Sequence, residues 1–269
     1  MCYTQSTESF EPYFLIHQCS NHQRDYSLIE ATGVFKSYGK QSVLEDISFS
    51  LEEGKVLGVF GPNGAGKTTL LKILALLFKP DHGNVHINGL DAGQHAQAIR
   101  PLIGYVPQEV ALYEDLSVAD NLLCWSRGRR VSKEDAVYMR IASALDIHDL
   151  ARKKVRTLSG GMKRRVNLAV ALMNAPHILI MDEPLVGVDL VQRQTVLEHL
   201  KELAAQGVTQ IITSHYPGEL LSFVDQVMIL DNGKVQRYEH SQTLIKNNGQ
   251  NQMTNLDNVI FDIVQGKGE

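Results

Sequence analysis

The sequence predicts an α/β fold: a mainly parallel sheet accompanied by an antiparallel β subdomain and an inserted α-helical subdomain. Three observations lead to this reading. Short apolar runs of strand length alternate with longer segments of helical periodicity through most of the chain, the pattern of βα units around a parallel sheet. Residues 28–60 instead offer three strand-like pieces in succession, which calls for an antiparallel element beside the core. From Ser117 to about Ala151 the strands give way to apolar residues at helical spacing, with Leu122, Leu123, Val137, Ile141 and Leu145 on the recurring face.

Taken in order, residues 1–27 lack periodicity and form an N-terminal extension; a brief Tyr13-Phe14-Leu15-Ile16 patch with no basic start is not a signal peptide. Leu28–Val34 is the first convincing strand. Val56–Phe60 is a short apolar strand, followed by a glycine-rich turn and a helix over Thr69–Phe78. Asn84–Asn88 and Ile103–Val106 are further strands, grouped here with the antiparallel element. After the helical block, Gly160–Asn174 reads as a helix, His177–Met181 as a strand, Val191–Ala205 as a helix and Thr209–Thr213 as a strand. Gln226–Leu230 and Lys234–Arg237 are strands joined through Asp231-Asn232-Gly233, where Asn-Gly favours a tight hairpin turn. Lys246–Gln252 reads as a loop, and Val259–Val264 as a last helix or strand. The expected organisation is a main domain over 28–240, with the helical subdomain inserted at about 109–165, and a C-terminal extension over 241–269.

Composition narrows the function classes. A chain of 269 residues with 43% hydrophobic content can bury a full core, and no stretch approaches the length needed to cross a bilayer. A net charge of −4 gives no drive toward nucleic acid, which is not expected as a partner. Cys2, Cys19 and Cys124 are odd in number and have no metal-like spacing, so they are read as free thiols.

The chemistry concentrates in a few places. Gly61-Pro62-Asn63-Gly64-Ala65-Gly66-Lys67-Thr68, running into Thr69, stands between a strand and a helix, the context of a phosphate-binding P-loop. Its backbone N–H groups and the helix N-terminus would face phosphate. Lys67 would reach the β- and γ-phosphates, and the Thr68 hydroxyl would ligate Mg²⁺. The nearly all-apolar strand His177–Met181 ends in Asp182-Glu183-Pro184, which places two carboxylates where an open sheet meets its ligand. Asp182 would hold Mg²⁺, and Glu183 would polarise an attacking water. Leu158-Ser159-Gly160-Gly161-Met162 opens another helix. Serine can cap it, and two residues without side chains allow close approach to a phosphate.

A P-loop, a Leu-Ser-Gly-Gly segment and an apolar strand ending in Asp-Glu within one chain resemble the nucleotide-binding domain of the ATP-binding cassette (ABC) ATPases, over about residues 28–240. The resemblance implies a P-loop NTPase core that binds and hydrolyses ATP with Mg²⁺. It implies that Tyr38 stacks on adenine, that Gln108 is the Q-loop glutamine touching Mg²⁺ or water, that Asp189 is the D-loop aspartate coupling two sites, and that His215 is the switch histidine contacting γ-phosphate. It also implies a head-to-tail dimer, each ATP lying between the P-loop of one copy and Ser159-Gly160-Gly161 of the other. Hydrolysis would then release the dimer.

The chain departs from the family's usual pattern at Met162, where glutamine is common, and at Leu185 and Leu190, in place of a threonine and a proline. Met162-Lys163-Arg164-Arg165 and Val186-Gly187-Val188-Asp189 are similar to the branch paired with drug, antibiotic or lipid exporters. The expected function is the ATPase subunit of an exporter, a homodimer acting on the cytoplasmic face of a membrane through a separately encoded permease. An importer subunit and a soluble, non-transport ABC ATPase remain as alternatives.

Overall fold

The computed structural model describes residues 27–126, 136–214, 217–221 and 223–247. β1 (Ser27–Tyr38) and β2 (Gln41–Glu52) form a long antiparallel pair; β4 (His82–Ile87) and β5 (Leu90–Asp91) complete a four-stranded antiparallel sheet in the order β2-β1-β4-β5. The second sheet has six strands in the order β10-β9-β3-β8-β7-β6. Its members are β3 (Val56–Phe60), β6 (Ile103–Val106), β7 (Ile178–Met181), β8 (Thr209–Thr213), β9 (Gln226–Asp231) and β10 (Lys234–His240). Only β10 runs against its neighbour; the other pairings are parallel.

The central strands β3, β7 and β8 are buried at every position; β3 and β7 are apolar throughout apart from Gly58, as strands covered on both faces require, whereas β8 buries Thr209, Gln210 and Thr213, each with a hydrogen-bond partner. Alternate side chains feed two cores. Phe60, Leu179, Met181, Ile212 and Ile229 join the larger cluster with the helical elements. Leu57, Val59, Ile178, Ile180 and Ile211 join the other, with α1 (Lys67–Leu74) and the antiparallel sheet. At roughly 1.5–3 kcal/mol for each large side chain fully removed from water, these layers dominate the driving force that holds the sheet.

Between β5 and β7 lie α2 (Ala96–Ile99), then α3 (Val118–Cys124), α4 (Ala136–Ala144) and α5 (Gly160–Leu172). Leu122, Val137, Ile141 and Leu145, the face predicted from spacing, are all buried in the larger core; Leu123 is only half-buried. Arg165 ties α5 to the end of α4: its guanidinium, 4% exposed, donates to the Leu145 and Asp146 carbonyls at 3.0 and 2.8 Å. After β7 come α6 (Leu190–Ala205), α7 (Pro217–Leu220) and α8 (Ser241–Asn247). None of the described helices is long and apolar enough to cross a membrane.

The structure corrects three of the element assignments. Ile103–Val106 does not belong to the antiparallel element but forms the edge of the parallel sheet, Tyr105 standing opposite Ile180. α1 ends at Leu74 rather than Phe78. The stop is a Schellman arrangement: Leu76 takes φ +57°, its N–H bonds the Ile73 carbonyl and the Leu77 N–H the Lys72 carbonyl. Lys246 and Asn247 fall inside α8 rather than in a loop; the segment Val259–Val264 and the first 26 residues lie outside the described residues, as do Cys2 and Cys19. Cys124 is a free, exposed thiol. The Asn232-Gly233 hairpin is present, both residues at positive φ. Gly233 N–H donates to the Ala65 carbonyl at 3.1 Å, so this turn braces the P-loop.

Candidate functional site

Because β3, β8, β7 and β6 are parallel neighbours, everything that follows their carboxyl ends meets at one edge of the sheet. The P-loop leaves β3, Asp182-Glu183 leaves β7, Thr213 closes β8, and Gln108 follows β6.

The P-loop is shaped by contacts behind it. Gly61 has φ +145°, and a Cβ there would lie 1.9 Å from the Leu230 carbonyl oxygen, so only glycine lets the loop seat on β9. Gly66, the N-cap of α1, is left-handed at φ +103°. No side chain caps α1 and no acid of its own stands in its first turn, so its positive end is suited to an anion. Lys67 is 6% exposed, and its ammonium donates to the Gly61 and Pro62 carbonyls at 2.7 and 2.8 Å. Burial holds its pKa below the ordinary lysine range, while the charges of Glu183 and Asp182 oppose that shift.

Asp182 is fully buried and acts as a hub. One carboxylate oxygen accepts from the Thr68 hydroxyl at 2.7 Å, the other from the Thr213 hydroxyl at 2.8 Å. Its backbone N–H donates to the Val106 carbonyl at 2.9 Å. Glu183, 7% exposed, sits at φ +52°, a region that a non-glycine residue adopts only when its surroundings hold it there. Its N–H donates to Thr213 Oγ1 at 2.9 Å, and its carboxylate accepts from Gln108 Nε2 at 3.2 Å. Lys67, Thr68, Gln108, Asp182 and Glu183, all singled out from sequence, are thus brought to one place. The pairing of a threonine hydroxyl and a carboxylate at 2.7 Å beside the P-loop supplies hard oxygen donors suited to Mg²⁺, which keeps several waters and needs few protein ligands.

Other sequence-predicted residues stand further out. Tyr38 is at the end of β1, 48% exposed and edge-on to Phe78, with ring centroids 6.3 Å apart. Ser159 caps α5, its hydroxyl accepting from Met162 N–H at 3.3 Å. The two glycines after it differ: a Cβ on Gly160 would meet nothing within 4 Å, whereas one on Gly161 would lie 3.1 Å from the Gly187 carbonyl oxygen. Gly161 therefore packs the start of α5 against the loop before Asp189, and Gly160 faces open space. Asp189 caps α6, accepting from Gln192 N–H at 3.0 Å. Leu185 is buried, while Leu190 and Val191 are each 77% exposed. His215 lies outside the described residues.

Sequence reasoning missed three residues that structure this site. Thr213 is a polar residue ending the apolar run Ile211-Ile212, the one cue that it had a specific partner. Arg164 and Asn167, on α5, both donate to the Pro107 carbonyl at 3.4 Å, and Asn167 Oδ1 accepts from Ala111 N–H at 3.2 Å. They connect the Ser159-Gly160-Gly161 helix to the segment that holds Gln108. Burial lowers the Arg164 pKa, and the charges of Glu183 and Asp182 resist that, so this cation feels both acids.

A family profile described as "ABC transporter" matches residues 44–186, which contain the P-loop, Gln108, the Leu-Ser-Gly-Gly segment and both acids. The chain belongs to the ABC transporter family. This ABC ATPase is 40% identical over 211 residues to the linearmycin resistance ATP-binding protein LnrL of Bacillus subtilis (strain 168), covering 77% of this chain and 68% of that one. It is 37% identical over 207 residues to the Nod factor export ATP-binding protein I of Bradyrhizobium diazoefficiens, covering 76% and 68%. Among solved structures, it matches an ATP-binding cassette in a dimeric post-hydrolysis state bound to ADP and Pi, with TM-score 0.72, 28% identity, and 79% and 98% coverage. As a member of this family it binds and hydrolyses ATP.

Proposed function

We propose that this ABC ATPase energises export of a small molecule of the drug, antibiotic or lipid class through a separately encoded membrane permease. The names of the relatives, linearmycin resistance and Nod factor export, support that direction over import. The observation that carries the hydrolytic reading is the double contact Thr68–Asp182 at 2.7 Å and Gln108–Glu183 at 3.2 Å on one sheet edge.

In this reading Gly61 to Thr69 cradle the triphosphate through backbone N–H groups, and Lys67 exchanges its carbonyl contacts for β- and γ-phosphate oxygens. Thr68 and Asp182 would hold Mg²⁺, with Gln108 able to reach it or a water. A Mg²⁺ held by these residues would supply positive charge beside the phosphate oxygens. Glu183 accepts a proton from the attacking water, oriented jointly with Gln108, and water oxygen replaces the bridging oxygen at the γ-phosphorus. Tyr38 stacks on adenine, and His215, which lies outside the described residues, retains the γ-phosphate role that the family resemblance implies.

Two copies complete two sites. Gly160, with open space beyond it, approaches the partner copy's nucleotide, and the exposed Leu190 and Val191 are suited to covering by a second copy. The dimeric cassette among the similar structures supports this arrangement. The helical insert over about 109–165 and the Gln108–Leu116 stretch face the permease on the cytoplasmic side. The ATPase domain is taken as 28–240 extended through α8, because Ser241 donates to the Val224 carbonyl at 2.7 Å and Leu244 is buried in the larger core. Expression together with a candidate multi-span partner, followed by extraction from membranes, tests the reading. Co-purification of the two is expected; a chain that stays soluble and partnerless in the partner's presence would overturn it.

A further inference from the structure

One hydroxyl in this molecule touches both acids. Thr213, the last residue of β8, is fully buried; its Oγ1 donates to Asp182 Oδ1 at 2.8 Å and accepts from the Glu183 N–H at 2.9 Å. A threonine hydroxyl has one hydrogen to give and lone pairs to receive, so a single group makes both bonds at once. Each has a separate consequence. With Thr68 on Oδ2 and Thr213 on Oδ1, the Asp182 carboxylate is clamped on both oxygens and cannot turn about its own axis. The Glu183 N–H, meanwhile, is held against β8 by the Thr213 hydroxyl, and the residue it anchors is the one at φ +52°. The preceding peptide is fixed from the other side, since Asp182 N–H is committed to the Val106 carbonyl at 2.9 Å. The left-handed residue is therefore stapled between β6 and β8, and its side chain leaves the strand toward Gln108.

We propose that Thr213 is a positioning residue for ATP hydrolysis: its hydroxyl sets the direction of the Asp182 carboxylate and the turn that aims Glu183, so that the two acids move as one unit with strand β8. The inference rests on the reading of Glu183 as the group that accepts the proton from water. Thr213 itself touches neither nucleotide nor water in this account. A packing role is the competing explanation. Valine matches threonine in volume and suits a buried strand at least as well, so packing alone would accept it.

The test compares Thr213→Ser, Thr213→Ala and Thr213→Val in the full chain, with Glu183→Gln alongside. Steady-state ATP hydrolysis is followed at varied ATP and varied Mg²⁺, and ATP binding is measured separately. Positioning predicts that serine retains turnover within about threefold. Alanine and valine should each lower kcat by about ten- to hundredfold, the range expected for losing hydrogen bonds to a charged group and a buried donor. Both should also raise the Mg²⁺ concentration needed for half-maximal rate, while ATP binding changes by less than about threefold. Alanine and serine behaving alike, or a loss confined to KM, would overturn the proposal. The serine–alanine pair decides even where the valine variant is not recovered, because those two differ by the hydroxyl alone. Glu183→Gln separates the two levels. If it kept full turnover, the assignment of Glu183 would fail; if it lost turnover while Thr213→Ala kept it, only the role of Thr213 would fail.

Discussion

Replacing Lys67 by methionine separates what this residue does for the fold from what it does for the ligand. The Lys67 ammonium is almost sealed, at 6% exposure, and bonded to two carbonyls at 2.7 and 2.8 Å. Hydrogen bonds to a charged group contribute about 1.5–3 kcal/mol each, while burying an ammonium costs several kcal/mol. The two terms nearly cancel, and the direction of the pKa decides between them. Burial outweighs the attraction of Glu183 and Asp182 and lowers it, so the folded state holds this proton less tightly than the unfolded chain does. Lys67→Met, similar in length and uncharged, is therefore expected to be as stable as the wild type or more so, by up to about 1 kcal/mol, or about 2–4 °C in Tm for a chain of this size. The sign of the pH dependence follows. The unfolded chain binds more protons, so wild-type stability rises relative to Lys67→Met as pH climbs from the lowered folded pKa toward the ordinary value of 10.5, and the difference is flat well below that window.

Nucleotide reverses the order. ATP at about one hundred times its dissociation constant stabilises the wild type by about 2.7 kcal/mol through linkage, and Lys67→Met is expected to lose most of that shift. Thermal unfolding followed with and without Mg·ATP across pH reads both effects. A methionine variant that loses more than about 2 kcal/mol without nucleotide would show that Lys67 is a structural cation, and one that keeps the ATP-induced shift would remove it from the phosphate site.

Gly160→Ala should leave the Tm of the isolated chain unchanged and weaken ATP-driven association, because among the described residues beyond its own helix turn nothing lies within 4 Å of the added methyl. Gly161→Ala should instead cost about 1 kcal/mol or more in the monomer, since its Cβ would press on the Gly187 carbonyl at 3.1 Å. Equal monomer stabilities for the two would contradict the assignment of Gly161 to cis packing. Tyr38→Ala is expected to weaken ATP binding by about five- to tenfold, an aromatic ring stacked on a base contributing about 1–3 kcal/mol. Inorganic triphosphate, which has no base, should bind as before; parallel losses for both ligands would place Tyr38 elsewhere in the site.

What the sequence disclosed and what it hid divide along physical lines. The P-loop, the Ser159-Gly160-Gly161 segment and Asp182-Glu183 were legible because each demands particular residue types within a few positions. Gly61 must be glycine to pass the Leu230 carbonyl, and two acids after an apolar strand, which alone would read as a solvated turn, gained their meaning from the P-loop in the same chain. Thr213 was not legible: threonine is ordinary in strands, and its partners Asp182 and Glu183 are 31 and 30 residues away. Arg164 and Asn167 were hidden likewise, because their link to Pro107 spans 57 and 60 positions. The end of α1 escaped because Leu76 adopts the left-handed conformation for which glycine is the usual signal. Ile103–Val106 was recognisable as a strand, but the short run Ile-Gly-Tyr-Val carries no mark of which sheet will accept it, and only pairing with β7 decided it.

In the proposed dimer ATP is held between the P-loop of one copy and the Ser159-Gly160-Gly161 segment of another, with Glu183 needed to release it. Size-exclusion chromatography with light scattering on Glu183→Gln, with no nucleotide, with Mg·ADP and with Mg·ATP, tests it most directly. A stable dimer is expected in Mg·ATP alone, carrying unhydrolysed ATP, and is expected to be lost when Gly160→Asp is added. A Glu183→Gln chain that stays monomeric while saturated with ATP, or that turns ATP over at the wild-type rate, would contradict it.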